Sequence, residues 1–190
     1  MSRQRPGKPR ARLFLALELP GPARRAIAAW RDEALGAHEE LRPIPEEYLH
    51  APLVFLGWQY ERDIERIAAL AFEPLAGLPP PELAAVGMVP VPKRGPRLFA
   101  LDLDDPSAAA AALQAAAART LADAGFYEPE RRPFWPHVTL ARVKRGRRVR
   151  ALDAPDPPGE PFQARVVTLY RSVLRPQGAR YEPLERHTLG

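Results

Sequence analysis

The spacing of apolar and polar positions changes several times along the chain, and the changes mark its elements. Between Arg12 and Leu19 the apolar residues Leu13, Leu15 and Leu17 recur at every second position, which predicts a strand with one buried face. Pro20, Gly21 and Pro22 interrupt it. The period then lengthens. Ile27, Trp30 and Ala34 predict a helix over Ala23–Leu35, with Pro22 near its first turn and Gly36 past its end. Leu49–Trp58 reads as a strand. Arg62–Leu75 reads as a helix carrying Ile64, Ile67, Ala68 and Ala71 on one stripe. Beyond the breaker Leu78–Pro81, two strands over Glu82–Val91 and Arg97–Leu103 are joined by a turn at 92–96. Asp105 as N-cap and Pro106 at the first helical position predict a helix through the alanine-rich stretch to Ala124, closed by Gly125. Further strands are predicted over His137–Val143, Phe162–Leu174 and Tyr181–Thr188. Short turns between successive strands imply antiparallel pairing. The expected fold class is therefore α+β, with two similar lobes rather than a doubly wound sheet.

A short repeat supports the two lobes. His50-Ala-Pro-Leu aligns with His137-Val-Thr-Leu, 87 residues later. On a strand, residues two apart share a face. His137 and Thr139 thus point one way, and Val138 and Leu140 the other. The same parity puts His50 and Pro52 toward a cleft, and Leu53 and Phe55 into the helix-facing core. Two lobes related by a pseudo-twofold axis would aim both histidines at one point. In-line displacement at phosphorus has such a geometry, with a base on the attacking side and an acid on the leaving side. Histidine serves either role near neutral pH, and a neighbouring hydroxyl can stabilise charge on a non-bridging oxygen.

Composition narrows the chemistry. With no cysteine there is no disulfide framework, no Cys-ligated metal and no thiol nucleophile. Apolar runs such as Leu13–Leu17 are far too short to cross a bilayer, and the basic N-terminus lacks an apolar segment behind it. The expectation is a cytoplasmic protein with no membrane partner. Net charge is +5, 24 residues are proline, and only Lys8, Lys93 and Lys144 are lysines among 28 basic residues. GC-rich coding or proline-stiffened loops account for this, and so does a polyanionic partner. Residues 1–11 read as a basic flexible arm and 12–190 as a single bilobal domain. No ligand spacing such as H-x-x-x-H and no Gly-rich phosphate loop occurs, so neither a metal nor a nucleotide cofactor is expected.

The ordered segments Arg12-Leu-Phe-Leu-Ala-Leu, Leu49-His-Ala-Pro-Leu-Val-Phe-Leu-Gly, Arg132-Pro-Phe-Trp-Pro-His-Val-Thr-Leu-Ala-Arg and Ala179-Arg-Tyr-Glu-Pro-Leu resemble the 2H phosphoesterase superfamily. That superfamily is defined by two H-x-T/S-x motifs. Within it the chain is most similar to the bacterial RNA 2′,3′-cyclic phosphodiesterases, also called 2′-5′ RNA ligases. The resemblance implies two antiparallel sheets with outer helices and a central cleft. It also implies metal-independent hydrolysis of RNA 2′,3′-cyclic phosphate ends to 2′-phosphates, with reversible 2′-5′ ligation, by a monomer. Carried over, His50 would be the general acid that protonates O3′ and His137 the general base that activates water. Thr139 and Arg142 would hold phosphate oxygens.

The chain departs from the family at Pro52, where the first motif has Thr or Ser and proline offers neither hydroxyl nor N–H. Arg142 has the wrong parity for the His137 face and reaches the cleft only if the strand bulges, twists or ends before it. Phe14 is the candidate for lining the cleft and stacking a base, with core packing as its other reading. Trp135 shares the parity of His137, with Pro136 between them. His38 and His187 read as solvated or strand-end residues. Arg142–Arg150 places six cations in nine residues and reads either as a solvated hairpin tip or as a guide for an RNA backbone. Two alternatives stay open: a 2H enzyme for a small cyclic nucleotide or ADP-ribose cyclic phosphate, and an RNA-binding protein whose catalysis is weakened at Pro52.

Overall fold

The first strand organises the molecule because it is buried on both faces from Leu13 to Leu17. The structure, a computed structural model, describes residues 9–150, 152–175 and 178–190. Strand β1 (Arg10–Glu18) buries Leu13, Leu15 and Leu17 completely on one face. Removing each such side chain from water stabilises by about 1.5–3 kcal/mol. Helix α1 (Gly21–Leu35) follows, with Pro22 in its first turn and Ile27, Trp30 and Leu35 buried. A short strand β2 (Leu41–Pro43), not expected from the sequence, precedes β3 (His50–Tyr60). Helix α2 (Ile64–Phe72) is flanked by single 3-10 turns, and β4 (Glu82–Val91) and β5 (Leu98–Asp104) form the hairpin. Then come α3 (Ala109–Asp123), β6 (His137–Val143), β7 (Phe162–Gln163), β8 (Val166–Arg175) and β9 (Gly178–Thr188).

Two antiparallel sheets result, ordered β3-β1-β8-β9 and β2-β6-β5-β4-β7. They approach each other where β3 and β6 run side by side. The helices are exchanged between them. α1 follows β1 yet packs on β6 and β2, while α3 follows β5 yet packs on β3 beside α2. This is the α+β arrangement of paired antiparallel sheets with outer helices that the sequence implied.

Four expectations are corrected. The arm assigned to residues 1–11 lies outside the described residues over 1–8, and Arg10 and Ala11 belong to β1, because Ala11 is buried in the core. The strand expected over Phe162–Leu174 is two strands. β7 pairs with β4 in one sheet, and β8 pairs with β1 in the other. The third helix starts at Ala109 rather than Pro106. Asp105 still caps it from a distance, accepting the Ala111 N–H at 3.0 Å, but Ala108 intervenes in the left-handed region at φ 54°.

The fourth correction concerns Phe55, which is 51% exposed rather than core-facing. Strand β3 carries two one-residue bulges against β1. The register runs Leu13 to Gly57, Phe14 to Phe55, Leu15 to Val54 and Ala16 to Pro52, so Leu56 and Leu53 are extra residues. Each extra residue inverts the facing that simple alternation predicts. Gly57 takes φ +67° beside the first bulge, a conformation that favours glycine, and Gln59 Nε2 donates to the freed Leu56 carbonyl at 2.6 Å.

Sheet order is also held by a polar cluster. Glu18 Oε1 accepts from Thr168 Oγ1 at 2.6 Å, Tyr170 OH at 3.2 Å and Arg186 Nε at 2.7 Å, tying β1, β8 and β9 together. Burial alone would raise the Glu18 pKa, but these hydrogen bonds and the Arg186 charge lower it below the ordinary value. Its stabilising contribution is therefore present above the ordinary carboxylate pKa and lost as pH falls through the lowered folded value. Glu18→Ala, which leaves the buried Thr168 hydroxyl unpaired, is expected to cost about 1–2 kcal/mol in urea unfolding at pH 7.

Candidate active site

Each histidine is fixed by its own strand. His50 opens β3 and His137 opens β6. His50 Nδ1 lies 2.7 Å from the Tyr48 carbonyl oxygen, and His137 Nδ1 lies 2.8 Å from the Trp135 carbonyl oxygen. A carbonyl oxygen can only accept, so in both rings Nδ1 carries the proton and a neutral ring has a bare Nε2. Each ring thus donates to the carbonyl two residues before it. The backbone register repeats too: His50 faces Glu18 across β1, and His137 faces Asp102 across β5.

The bulge that Arg142 requires is present. Phe99 pairs with Ala141 and Ala100 with Thr139, leaving Leu140 as the extra residue. The Leu140 carbonyl freed by the bulge accepts the Ile44 N–H at 2.8 Å, and the buried Arg31 guanidinium in turn donates to the Ile44 carbonyl. Parity is reset after Thr139, and Arg142 joins His137 and Thr139 on the cleft face. The first motif uses the same device: Leu53 follows Pro52 as Leu140 follows Thr139.

His50, His137, Thr139 and Arg142 line one cavity of about 180 Å³. Pro52 also lines it and is buried. β3 is an edge strand, where a residue without N–H is tolerated. Arg12, Ser172 and Tyr181, which the sequence did not single out as site residues, complete the wall. Arg12 was accessible to reasoning, since it shares the β1 face of Phe14; Ser172 and Tyr181 come from β8 and β9, and no local pattern pointed to them.

Phe14 lines the cavity but is only 2% exposed. Tyr170 and Phe55 stack on it at 5.1 and 5.7 Å, and His50 lies 5.0 Å away. It has no free face for a base and serves instead as the support beneath His50. Trp135 lies parallel to His137 at 4.2 Å, and its Nε1 donates to Asp102 Oδ1 at 2.6 Å. His187 stacks on Phe72, away from this cavity.

These surroundings set the protonation of the rings. Burial disfavours a charged His50 and lowers its pKa to about 4; the Tyr48 carbonyl opposes this, while positive charge on His137 and Arg142 adds to it. His137 is also lowered by burial, opposed by the Trp135 carbonyl and by the Asp102 carboxylate. Among the described residues no three His, Cys, Asp or Glu side chains gather as metal ligands. No helix among them is long and apolar enough to cross a membrane. Ring-proton NMR titration is expected to give a His50 midpoint near 4 and a His137 midpoint below 6.5. Asp102→Asn should lower the His137 midpoint further, because the carboxylate that favours its charged form is gone.

The chain is similar to known proteins over most of its length. The family model described as the 2′-5′ RNA ligase superfamily matches residues 19–173. An RNA 2′,3′-cyclic phosphodiesterase of Thermus thermophilus is 30% identical over 187 residues, covering 94% of this chain and 90% of the relative. One from Aeropyrum pernix is 29% identical over 167 residues, covering 83% of this chain and 92% of the relative. The crystal structure of E. coli LigT complexed with 3′-AMP has a TM-score of 0.81 at 27% identity, over 95% of this chain and 99% of that one. Both histidine strands fall inside the matched region, and the chain belongs to the 2′-5′ RNA ligase superfamily of 2H phosphoesterases.

Proposed function

We propose that the protein is a monomeric, cytoplasmic RNA 2′,3′-cyclic phosphodiesterase that opens the cyclic phosphate to a 2′-phosphate by paired histidine catalysis, without a metal or nucleotide cofactor. The observation that carries this reading is the placement of two Nδ1-locked imidazoles on the wall of one small cavity, together with Thr139 and Arg142. Two relatives at about 30% identity are named for this activity, and E. coli LigT has been crystallised with phosphate.

In the proposed reaction His137 Nε2 takes a proton from water as the water oxygen bonds to phosphorus. The P–O3′ bond breaks on the opposite side, and protonated His50 Nε2 gives its proton to O3′. The product is a 2′-phosphate and a free 3′-hydroxyl. Thr139 and Arg142 hold the non-bridging oxygens as charge builds there. Replacing water by the 5′-hydroxyl of another RNA gives a 2′,5′-phosphodiester through the same arrangement, which is the ligation reaction. In the free pocket, burial and the charges of His137 and Arg142 oppose a proton on His50. A phosphate anion seated on Arg142 offsets the electrostatic part of that opposition and so favours the protonated His50 that the acid role needs. Pro52 removes one hydroxyl that the motif usually supplies, while Arg12, Tyr48, Ser172 and Tyr181 also bring donor groups to the wall.

The test uses oligoribonucleotides ending in a 2′,3′-cyclic phosphate, with EDTA present and the product end identified. The expected product is a 2′-phosphate. His50→Ala and His137→Ala should each lower turnover by at least about 10²-fold while the fold is retained. The pH profile of kcat/KM should be bell-shaped with an acidic maximum. On the acid limb His137 gains a proton and is lost as base; on the alkaline limb His50, whose pKa burial lowers to about 4, is lost as acid. A metal-rescued enzyme, a 3′-phosphate product or near-normal turnover in either variant would contradict the reading.

A further inference from the structure

The reacting cavity, at about 180 Å³, is too small for more than the phosphate and its ribose, so the rest of an RNA end must occupy the grooves that open from it. Two grooves do so, and their chemistry differs. The larger, about 660 Å³, shares Pro52, Phe55 and His137 with the cavity. Its wall combines aromatic rings with Arg119 and Arg132, which are matched by Asp123 and Glu130. The other, about 560 Å³, shares Ile44, Tyr48, Arg142 and Tyr181 with the cavity. It lies between β2 and the end of the β8–β9 pair where Arg175 faces Gly178. It is lined by Arg42, Arg142, Arg175 and Arg180, and no carboxylate lines it.

The arginines of this second groove are poorly neutralised. Arg42 and Arg142 are direct partners across β2 and β6, a like-charge cross-strand pair that destabilises a sheet. The Arg42 guanidinium is held close against Gly178, within 3.5 Å of where a Cβ there would sit. Of these four arginines, only Arg180 has a carboxylate among the described residues within ion-pair distance, Glu182 at 3.8 Å, and that pair is exposed. A groove of this kind favours an anion with several separated charges, since each guanidinium can take a phosphate oxygen pair and release counterions.

We propose that this arginine groove binds the backbone phosphates of the RNA strand on the 5′ side of the reacting nucleotide, so that the enzyme prefers oligonucleotide ends over cyclic mononucleotides. The inference rests on the phosphodiesterase reading above. It also fixes the direction of the strand. A nucleotide with a 2′,3′-cyclic phosphate has only one continuing chain, through its 5′-phosphate. That chain leaves past Arg142 and Arg42 toward Arg175 and Arg180, because the groove on the other side is charge-balanced.

The experiment compares kcat/KM for adenosine 2′,3′-cyclic phosphate and for a hexa-adenylate ending in the same group, across a series of salt concentrations. The wild-type protein should favour the hexamer by at least about tenfold at low salt, with a steep salt dependence for the hexamer only. In Arg175→Gln/Arg180→Gln, both exposed positions, and in Arg42→Gln, that preference should shrink. The slope of log kcat/KM against log salt for the hexamer should flatten by about one for each phosphate that the variant no longer neutralises. Circular dichroism and thermal unfolding establish that the variants are folded. Hydrolysis of the mononucleotide with no preference for the hexamer, or a preference and salt slope unchanged in both variants, overturns this proposal alone. Hydrolysis of neither substrate overturns the phosphodiesterase reading and the proposal with it.

Discussion

The site depends on one hydrogen bond made twice, from each histidine Nδ1 to the carbonyl two residues earlier in its own chain. It fixes the tautomer, aims the ring and leaves Nε2 for chemistry, all before any substrate arrives. Because donor and acceptor are two residues apart, the bond survives only if the segment entering the strand is rigid. Tyr48 closes a 3-10 turn and packs edge-on against Tyr181; Trp135 is pinned to Asp102 and stacked on its own histidine. The two halves reach the same bond with different supports. That difference sets their electrostatics apart, with an aromatic surround for His50 and a nearby carboxylate for His137.

The internal repeat is deeper in three dimensions than in sequence. Residues 48, 50, 52, 53 and 55 correspond to 135, 137, 139, 140 and 142, each 87 apart. The strands they pair with also correspond: Phe14, Ala16 and Glu18 face Phe55, Pro52 and His50, while Leu98, Ala100 and Asp102 face Arg142, Thr139 and His137. Those partners are 84 apart. The extra residue at Leu53 and Leu140 falls at the same point in both copies. In each it swings the residue two places on, Phe55 or Arg142, onto the cleft face. In one half that residue is an exposed aromatic ring and in the other a cation.

Much of this was legible in the chain. The core positions Leu13, Leu15 and Leu17 of β1, the helical stripe of α2 and the His-x-Thr facing of β6 follow from period alone, and all three appear in the fold. The bulges were not legible in the same way. For Arg142 the expected role asked for a bulge, a twist or an early strand end without choosing among them; for Phe55 nothing did, and simple alternation sent it to the wrong side. The split of 162–174 between two sheets was hidden because both pieces are apolar enough to be strand, and only tertiary pairing decides which sheet each joins. Ser172 and Tyr181 escape a sequence reading because the fold, not a local pattern, carries them into the cavity. Phe14 lies in the expected wall but has a different task, since its burial depends on Tyr170, 156 residues away.

Protonation links the geometry to the proposed reaction. In the empty pocket burial keeps His50 neutral, with the charges of His137 and Arg142 adding to it, and an anion held by Arg142 offsets only that smaller electrostatic part. The most direct test of the central claim is the tautomer of both rings, read from ¹⁵N chemical shifts and ring couplings at pH 7 in uniformly ¹⁵N-labelled protein. The account predicts that His50 and His137 both carry the proton on Nδ1 and leave Nε2 bare, with the Nε2 signal of each shifting when inorganic phosphate is added. A bare Nδ1 on either ring would contradict it, because that nitrogen could then not donate to the Tyr48 or Trp135 carbonyl, and a neutral His137 with its proton on Nε2 could not take one from water.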